Sequence, residues 1–359
     1  MDKVQNAPKV LKESKNRIRV DYEGKLPFWT RLKGKVFSMY FLTNVVWYIF
    51  RLLLMIGVSY VILFPFFSKI AGSFMSPSDL VDPTVCIIPK SPTLGIYTAI
   101  FVENQYLQAF FNTFLLSLAS ALLQTFVCTL IGYGLAKFRF KGNGLIMVLV
   151  VLTMIVPHET IKLSMMMHFR YFDIGGVQGL GIPGLVEFIT GMFKGSLSSG
   201  MTFNLMNTFA PLLLLSVLGL GFKNGLYIFM MRQFFTGVPD ELEESAYVDG
   251  SNTFRTFFTI ILPLSLPMMI TIFLFAFCWQ WTDDFYTELF FTNGKTLLMP
   301  DIVATPESLE QAAGYAASRL YVNVINNTAG IMIILPLVVL FLFCQKYLVQ
   351  GIERSGLVG

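Results

Sequence analysis

Six long apolar stretches, separated by short polar or Pro- and Gly-rich segments, set the organisation of this chain. They run approximately from Val45 to Phe67, Ala109 to Ala136, Gly144 to Met167, Thr208 to Met231, Ile260 to Trp279 and Thr328 to Val349. Each is near the roughly 20 residues that an α-helix needs to cross a bilayer. The pattern therefore predicts an all-α polytopic membrane protein with six transmembrane helices. The first span is expected within residues 46–108, together with the loop that follows it.

A polar island, Pro239 to Pro263, interrupts the apolar run between the fourth and fifth stretches. Pro239 suits a first helical position, and Asp240, Glu241, Glu243 and Glu244 crowd the positive end of the helix dipole. Gly250 can stop that helix in a left-handed conformation, and Ser251 or Thr253 can cap a second one. The expectation is a rigid acidic elbow of two short helices. Leu242, Ala246 and Tyr247 would pack on one side while the carboxylates face solvent or a partner.

Composition agrees with a membrane protein. Of 359 residues, 55% are hydrophobic and 13% charged, about half the roughly 25% charged fraction of soluble domains. Cys86, Cys128, Cys278 and Cys344 are far apart and form no metal-spaced pair, and only His158 and His168 could supplement them. The net charge of +4 reads as topology and not as affinity for nucleic acid, because the basic residues gather beside apolar spans. With both ends on one side, 18 of the 26 Lys and Arg fall on that side, including the crowded residues 1–45 and the elbow. The positive-inside rule then makes both termini and the elbow cytoplasmic. Pro27 to Phe41 can lie on the inner membrane surface or belong to a disordered basic tail.

The island also carries a family pattern. Glu244, Ser245 and Ala246, then Asp249-Gly250, then Ile260, Leu262 and Pro263 resemble the EAA loop of ABC importer permeases, with Ser245 in place of the usual middle alanine. Arg232 to Phe235, Ser73-Phe74, the Pro-Thr-Leu before Tyr97, Asn112-Thr113 and the string Tyr133 to Gly142 are similar to the carbohydrate-importing, maltose-type branch. The resemblance runs from about Phe64 to the C-terminus and implies the type I permease fold. In that family the loop is a cytoplasmic coupling helix seated in a groove of the ATP-hydrolysing subunit. It further implies a second, homologous permease, two ABC ATPase subunits carrying ATP and Mg, and an extracellular solute-binding protein. The chain departs from the pattern at about residues 173–204, a Gly-rich insertion that contacts a partner or is a surface elaboration, and at Val358, where a Lys is usual.

Several residues stand out along the substrate path. His158 and Glu159 follow Pro157 in the third span, a pathway candidate or an interfacial pair. Lys223, within Gly221 to Gly225, either faces the bundle interior or marks a break in the fourth span. Trp279, Gln280, Trp281 and Asp283 combine aromatic faces with polar groups, as sugar binding needs, although Trp at a membrane boundary is also an ordinary anchor. Gly314 to Ala317 lies in a stretch that can reach a binding protein, and 350–359 forms a short tail.

The sequence reading is thus a transmembrane permease of a bacterial ATP-driven importer for a carbohydrate, an oligosaccharide, residing in the cell membrane. No GxxxxGK[ST] phosphate loop occurs, so ATP hydrolysis is assigned to the partner and no cofactor to this chain. The alternatives are a permease for another small solute, an ion-coupled secondary transporter, and a membrane hydrolase using His158 and Glu159.

Overall fold

The computed structural model describes residues 12–13, 19–20, 39–173, 202–313 and 318–356. Most of the N-terminal extension, including most of Pro27 to Phe41, the body of the insertion, Gly314 to Ala317 and Val358 lie outside the described residues.

Helix α1 spans Met39–Gly72 and carries Pro65 inside it. Its 34 residues are about 50 Å long at 1.5 Å per residue, more than the roughly 30 Å hydrocarbon core requires. The following loop contains α2 (Pro77–Val81), capped by Ser76, and α3 (Gly95–Glu103). Polar groups order this loop. The carboxylate of Asp79 accepts from the backbone and hydroxyl of Ser91 at 3.1 and 2.9 Å. Ser73 Oγ lies 2.7 Å from the Tyr97 hydroxyl, and Phe74 packs on the same ring.

Helix α4 (Tyr106–Lys137) is the centre of the bundle. It packs against α7 (Ala210–Val217), α8 (Asn224–Thr236) and α10 (Thr253–Trp281). Closest approach occurs where side chains vanish. A Cβ at Gly132 would lie 2.5 Å from Met231 Cβ and 3.0 Å from the Arg232 nitrogen. One at Gly225 would meet Thr153 and Met154, at 2.6 and 2.9 Å. Small residues allow such contacts in lipid, where no hydrophobic drive brings helices together.

The third and fourth apolar stretches differ from the continuous spans expected. The third is α5 (Asn143–Ile155), a break at Val156-Pro157, a 3₁₀ turn His158–Ile161 and α6 (Lys162–Arg170), with a 93° bend. Val156 is extended (ψ 119°), the conformation that a following proline imposes. The fourth is split into α7 and α8 by residues 218–223, where Gly219 and Lys223 adopt φ of 73° and 64°. Among the described residues, four helices are long and apolar enough to span a membrane, and the bent pair makes a fifth if it counts as one.

The fifth and sixth spans are longer than their apolar cores. Helix α10 begins seven residues before Ile260, passes through a π turn at Phe257–Ile261 and continues past Pro263 and Pro267. After α11 (Phe285–Phe290) and α12 (Glu307–Ala313), α13 (Ser318–Gly356) starts ten residues before Thr328 and contains Pro336. A proline inside a helix leaves the carbonyl four residues earlier without its donor. That carbonyl, Met332 O, accepts from the Tyr106 hydroxyl at 3.1 Å, and its neighbour Ile333 O accepts from Trp281 Nε1 at 3.0 Å. Three spans therefore meet at one proline kink. The insertion leaves from a closed stem, because Phe172–Asp173 pairs antiparallel with Thr202–Phe203.

The Gly132 crossing gives a direct test. Gly132→Ala is expected to destabilise the bundle by about 1–3 kcal/mol through overpacking, read as a lower Tm in detergent. Gly144→Ala, with nothing within 4 Å, should leave Tm unchanged or slightly raised.

Candidate functional site

Two groups of residues carry the candidate chemistry, one at each end of α10. At its start is the elbow. Helix α9 covers Glu241–Val248, with Asp240 as its N-cap. Pro239 therefore lies before the helix and not at its first position, and its carbonyl accepts from Leu242 N at 3.4 Å. The C-terminus closes with Ser251 N donating to Ala246 O and Gly250 N to Tyr247 O, at 2.9 and 3.0 Å. This pair of bonds is the Schellman motif, and Gly250 supplies the left-handed residue it needs, at φ 84°. The next helix is capped by Asn252, not by Ser251 or Thr253, because its Oδ1 accepts from Arg255 N at 2.8 Å.

The packed face of α9 differs from the one expected. Glu243 and Ala246 are buried, whereas Leu242 and Tyr247 are exposed along with Glu244, Ser245, Asp249 and Gly250. The cause is Lys137, the last residue of α4. Its side chain is only 6% exposed and pairs with Asp240 Oδ1 at 2.5 Å while donating to Val238 O at 2.6 Å. That buried ammonium draws the first turn of α9 inward, carrying the Glu243 carboxylate toward it and toward Tyr133. Tyr133 in turn packs on Phe257 and Phe235, at ring distances of 4.8 and 5.5 Å. The outer surface is left with Val248 at 87% and Phe254 at 78% exposure. Ile260 and Leu262 are half-buried and Pro263 is exposed, at and just after the π turn.

At the far end of α10 is an aromatic group. Trp279 and Phe222 meet edge to face, with Lys223 Nζ 5.0 Å from the Trp279 ring and 4.7 Å from Phe222. His158 joins them, 5.0 Å from the Phe222 ring, with Nδ1 3.4 Å from the Tyr286 hydroxyl. Three sequence candidates, His158, Lys223 and Trp279, thus come together from three apolar stretches. Phe222 and Tyr286 were missed, because nothing in their local sequence separates them from core aromatics. Trp279 is 47% exposed, which leaves part of its face open to a ligand.

The other candidates lie elsewhere. Residues two apart on a helix point to nearly opposite sides, so Trp281 turns into the bundle, packs on Phe110 and Phe277, and serves the Pro336 kink. It is buried in the core of the bundle. Asp283 is buried and accepts from Tyr286 N at 3.2 Å. It therefore positions α11, and burial pushes its carboxyl up to about 7. Gln280 is half-buried. Among the described residues no group of His, Cys, Asp or Glu is arranged to hold a metal.

Burial, with the Asp240 charge beside it, raises the Glu243 carboxyl above its usual range, against the opposing pull of Lys137 and Tyr133. A raised carboxyl pKa means that the folded chain holds the proton more tightly, so stability from this group falls as pH rises past the ordinary carboxylate range. Glu243→Gln should remove that loss. Thermal unfolding of the variant is expected to exceed wild type at pH 8, with the gap closing toward pH 5.

Comparison with known proteins places this geometry. The family described as binding-protein-dependent transport system inner membrane component matches residues 128–354. The arabinooligosaccharides transport system permease protein AraQ of Bacillus subtilis is 27% identical over 305 residues, covering 83% of this chain and 91% of that one. The galactooligosaccharides permease GanQ of the same organism is 26% identical over 324 residues, with 87% and 95% covered. A solved bacterial ABC transporter involved in the import of the acidic polysaccharide alginate aligns with TM-score 0.60 at 17% identity, over 85% of this chain and 97% of that one; this likeness is one of fold. The chain belongs to the family of membrane-embedded, binding-protein-dependent transport components.

Proposed function

We propose that this chain is the permease subunit of an ATP-driven ABC importer for a carbohydrate, an oligosaccharide, and that its elbow is the coupling helix. The observation that carries the reading is the outer surface of the elbow. Val248 and Phe254, at 87% and 78% exposure, stand beside the exposed carboxylates of Glu244 and Asp249. An apolar pair with an acidic rim, held on a rigid turn, is suited to a groove in a partner subunit. The distribution of basic residues supports a cytoplasmic elbow and cytoplasmic termini, by the positive-inside rule. ATP and Mg belong to the two ATPase partners. A second permease and an extracellular binding protein complete the assembly.

Coupling follows from how the elbow is held. Lys137 ties α9 to α4, and the closed turn at Gly250 and Ser251 leads directly to the Asn252 cap of α10. Helix α10 then runs 29 residues from Thr253 to Trp281, about 43 Å, from the elbow to the aromatic group. Movement of the ATPases against Val248 and Phe254 is thereby delivered to Trp279 as displacement of one helix, a two-state element biased by ATP. Trp279 offers a face for the CH surface of a sugar ring, and Lys223 and His158 offer hydrogen bonds to hydroxyls. Support for a carbohydrate comes from the relatives, which are named for arabinooligosaccharides and galactooligosaccharides.

The test is purification in mild detergent with mass spectrometry of what stays bound. An ATPase and a second permease should be recovered, and Val248→Glu or Glu244→Lys should release the ATPase from a chain that still folds. Gly250→Pro, which cannot hold φ 84°, should abolish substrate-stimulated ATP hydrolysis. Recovery of the chain alone, active in ion-driven uptake, would favour a secondary transporter. At the other end, Trp279→Ala should lower sugar transport about tenfold, from lost stacking, in a complex that assembles normally.

A further inference from the structure

The central helix is polar where it is most buried. Along α4, Ser117, Ser120, Gln124 and Thr125 are each less than 7% exposed. Gln124 Nε2 donates to Ser216 Oγ on α7 at 3.2 Å, and Ser216 passes its own proton to Leu212 O at 2.7 Å. Gln124 Oε1 has no partner among the described residues, and neither has Oδ1 or Nδ2 of Asn224, which is 1% exposed. The two amides converge on Gly221. A Cβ there would sit 3.1 Å from Gln124 Nε2 and 3.3 Å from Asn224 Nδ2. Ser120 and Tyr227 extend the layer by one turn along each helix, again with unpaired hydroxyls.

Unpaired polar atoms in a bundle surrounded by lipid carry their full desolvation penalty, so a set of them gathered at one point signals a missing partner. The chemistry of the set identifies that partner. Two carbonyl oxygens need a donor and one amide nitrogen needs an acceptor. A cation would satisfy the oxygens and oppose Nδ2, and an anion would do the reverse. Water does both. Because both terminal atoms of Asn224 are unpaired, the conclusion holds for either orientation of its amide.

We infer that Gln124, Asn224 and the side-chain-free Gly221 hold at least one ordered water between α4 and the broken fourth stretch. The site stands at the break in residues 218–223, where a glycine leaves room beside two amides. It is independent of the sugar and of the ATPase. Its consequence is mechanical: α8 is joined to α4 there through an exchangeable water and not through a fixed bond between side chains.

The sign of a stability change tests this. If the amides were dry, Asn224→Leu would remove unpaired polar atoms at nearly constant volume and raise Tm. If they are bridged, the substitution strands the water and Gln124, and Tm falls by a few degrees. Gln124→Leu should also lower Tm, and the double variant should lose less than the two single losses together. A density map of the wild-type chain in nanodiscs, at a resolution that shows waters, should carry a peak within hydrogen-bond distance of both amides. A rise in Tm for Asn224→Leu, or a map without that peak, overturns the inference even where a variant fails to fold.

Discussion

Inside a bilayer no solvent is available to pair a backbone group that a helix releases, and this constraint orders most of what is seen here. The interruption at Pro336 is met by other parts of the chain. Pro336 frees Met332 O, which accepts from the Tyr106 hydroxyl, and the adjacent Ile333 O accepts from Trp281 Nε1 of another span. The π turn at Phe257–Ile261 carries α10 up to Pro263 through a bond from Leu262 N to Phe257 O. At Pro157 the helix instead ends and turns through 93°. The kink at Pro336 thus serves as a point where spans are joined, because an unpaired group demands a neighbour.

Close approach is the second requirement. Gly132 and Gly225 let α8 lie against α4 and α5 at backbone distance, and dispersion between well-packed surfaces then does what hydrophobic exclusion cannot do in lipid. The same crossing leads to Lys137 at the end of α4. A nearly covered ammonium needs a counter-charge and acceptors, and it finds both at the start of α9, in Asp240 and Val238 O. The elbow is therefore positioned by a demand that originates in the second span, although its own sequence sets its length and its turn.

Helix α10 connects the two candidate regions. It begins at the Asn252 cap beside the exposed apolar pair and ends at Trp279 and Trp281, which point to opposite sides. One of these residues faces the aromatic group with Lys223 and His158, and the other is locked into the bundle. A helix fixed on one side and open on the other can move as a unit while keeping its packing. Under the proposed function, this helix carries movement of the ATPase partners to the aromatic group.

Much was legible in the sequence because it depends on local chemistry. Apolar length gave the four long helices, Gly250 the turn that ends α9, and the spacing from Glu244 to Pro263 the family pattern. The break near Lys223 could be read from its flanking glycines. What sequence could not give depends on partners distant along the chain. Burial of Glu243 in place of Leu242 follows from Lys137, about a hundred residues earlier. Trp281 is core because it packs on Phe110 and Phe277 and donates to Ile333 O of α13. The meeting of His158, Phe222, Lys223, Trp279 and Tyr286 required three spans to be packed. By itself the sequence determined the long apolar helices and the polar elbow with the turn that ends it, since helix periodicity and hydropathy are short-range. Only the tertiary structure decided which face of each element is buried and which polar groups meet, because unpaired charges and backbone groups find their partners only once the helices are assembled.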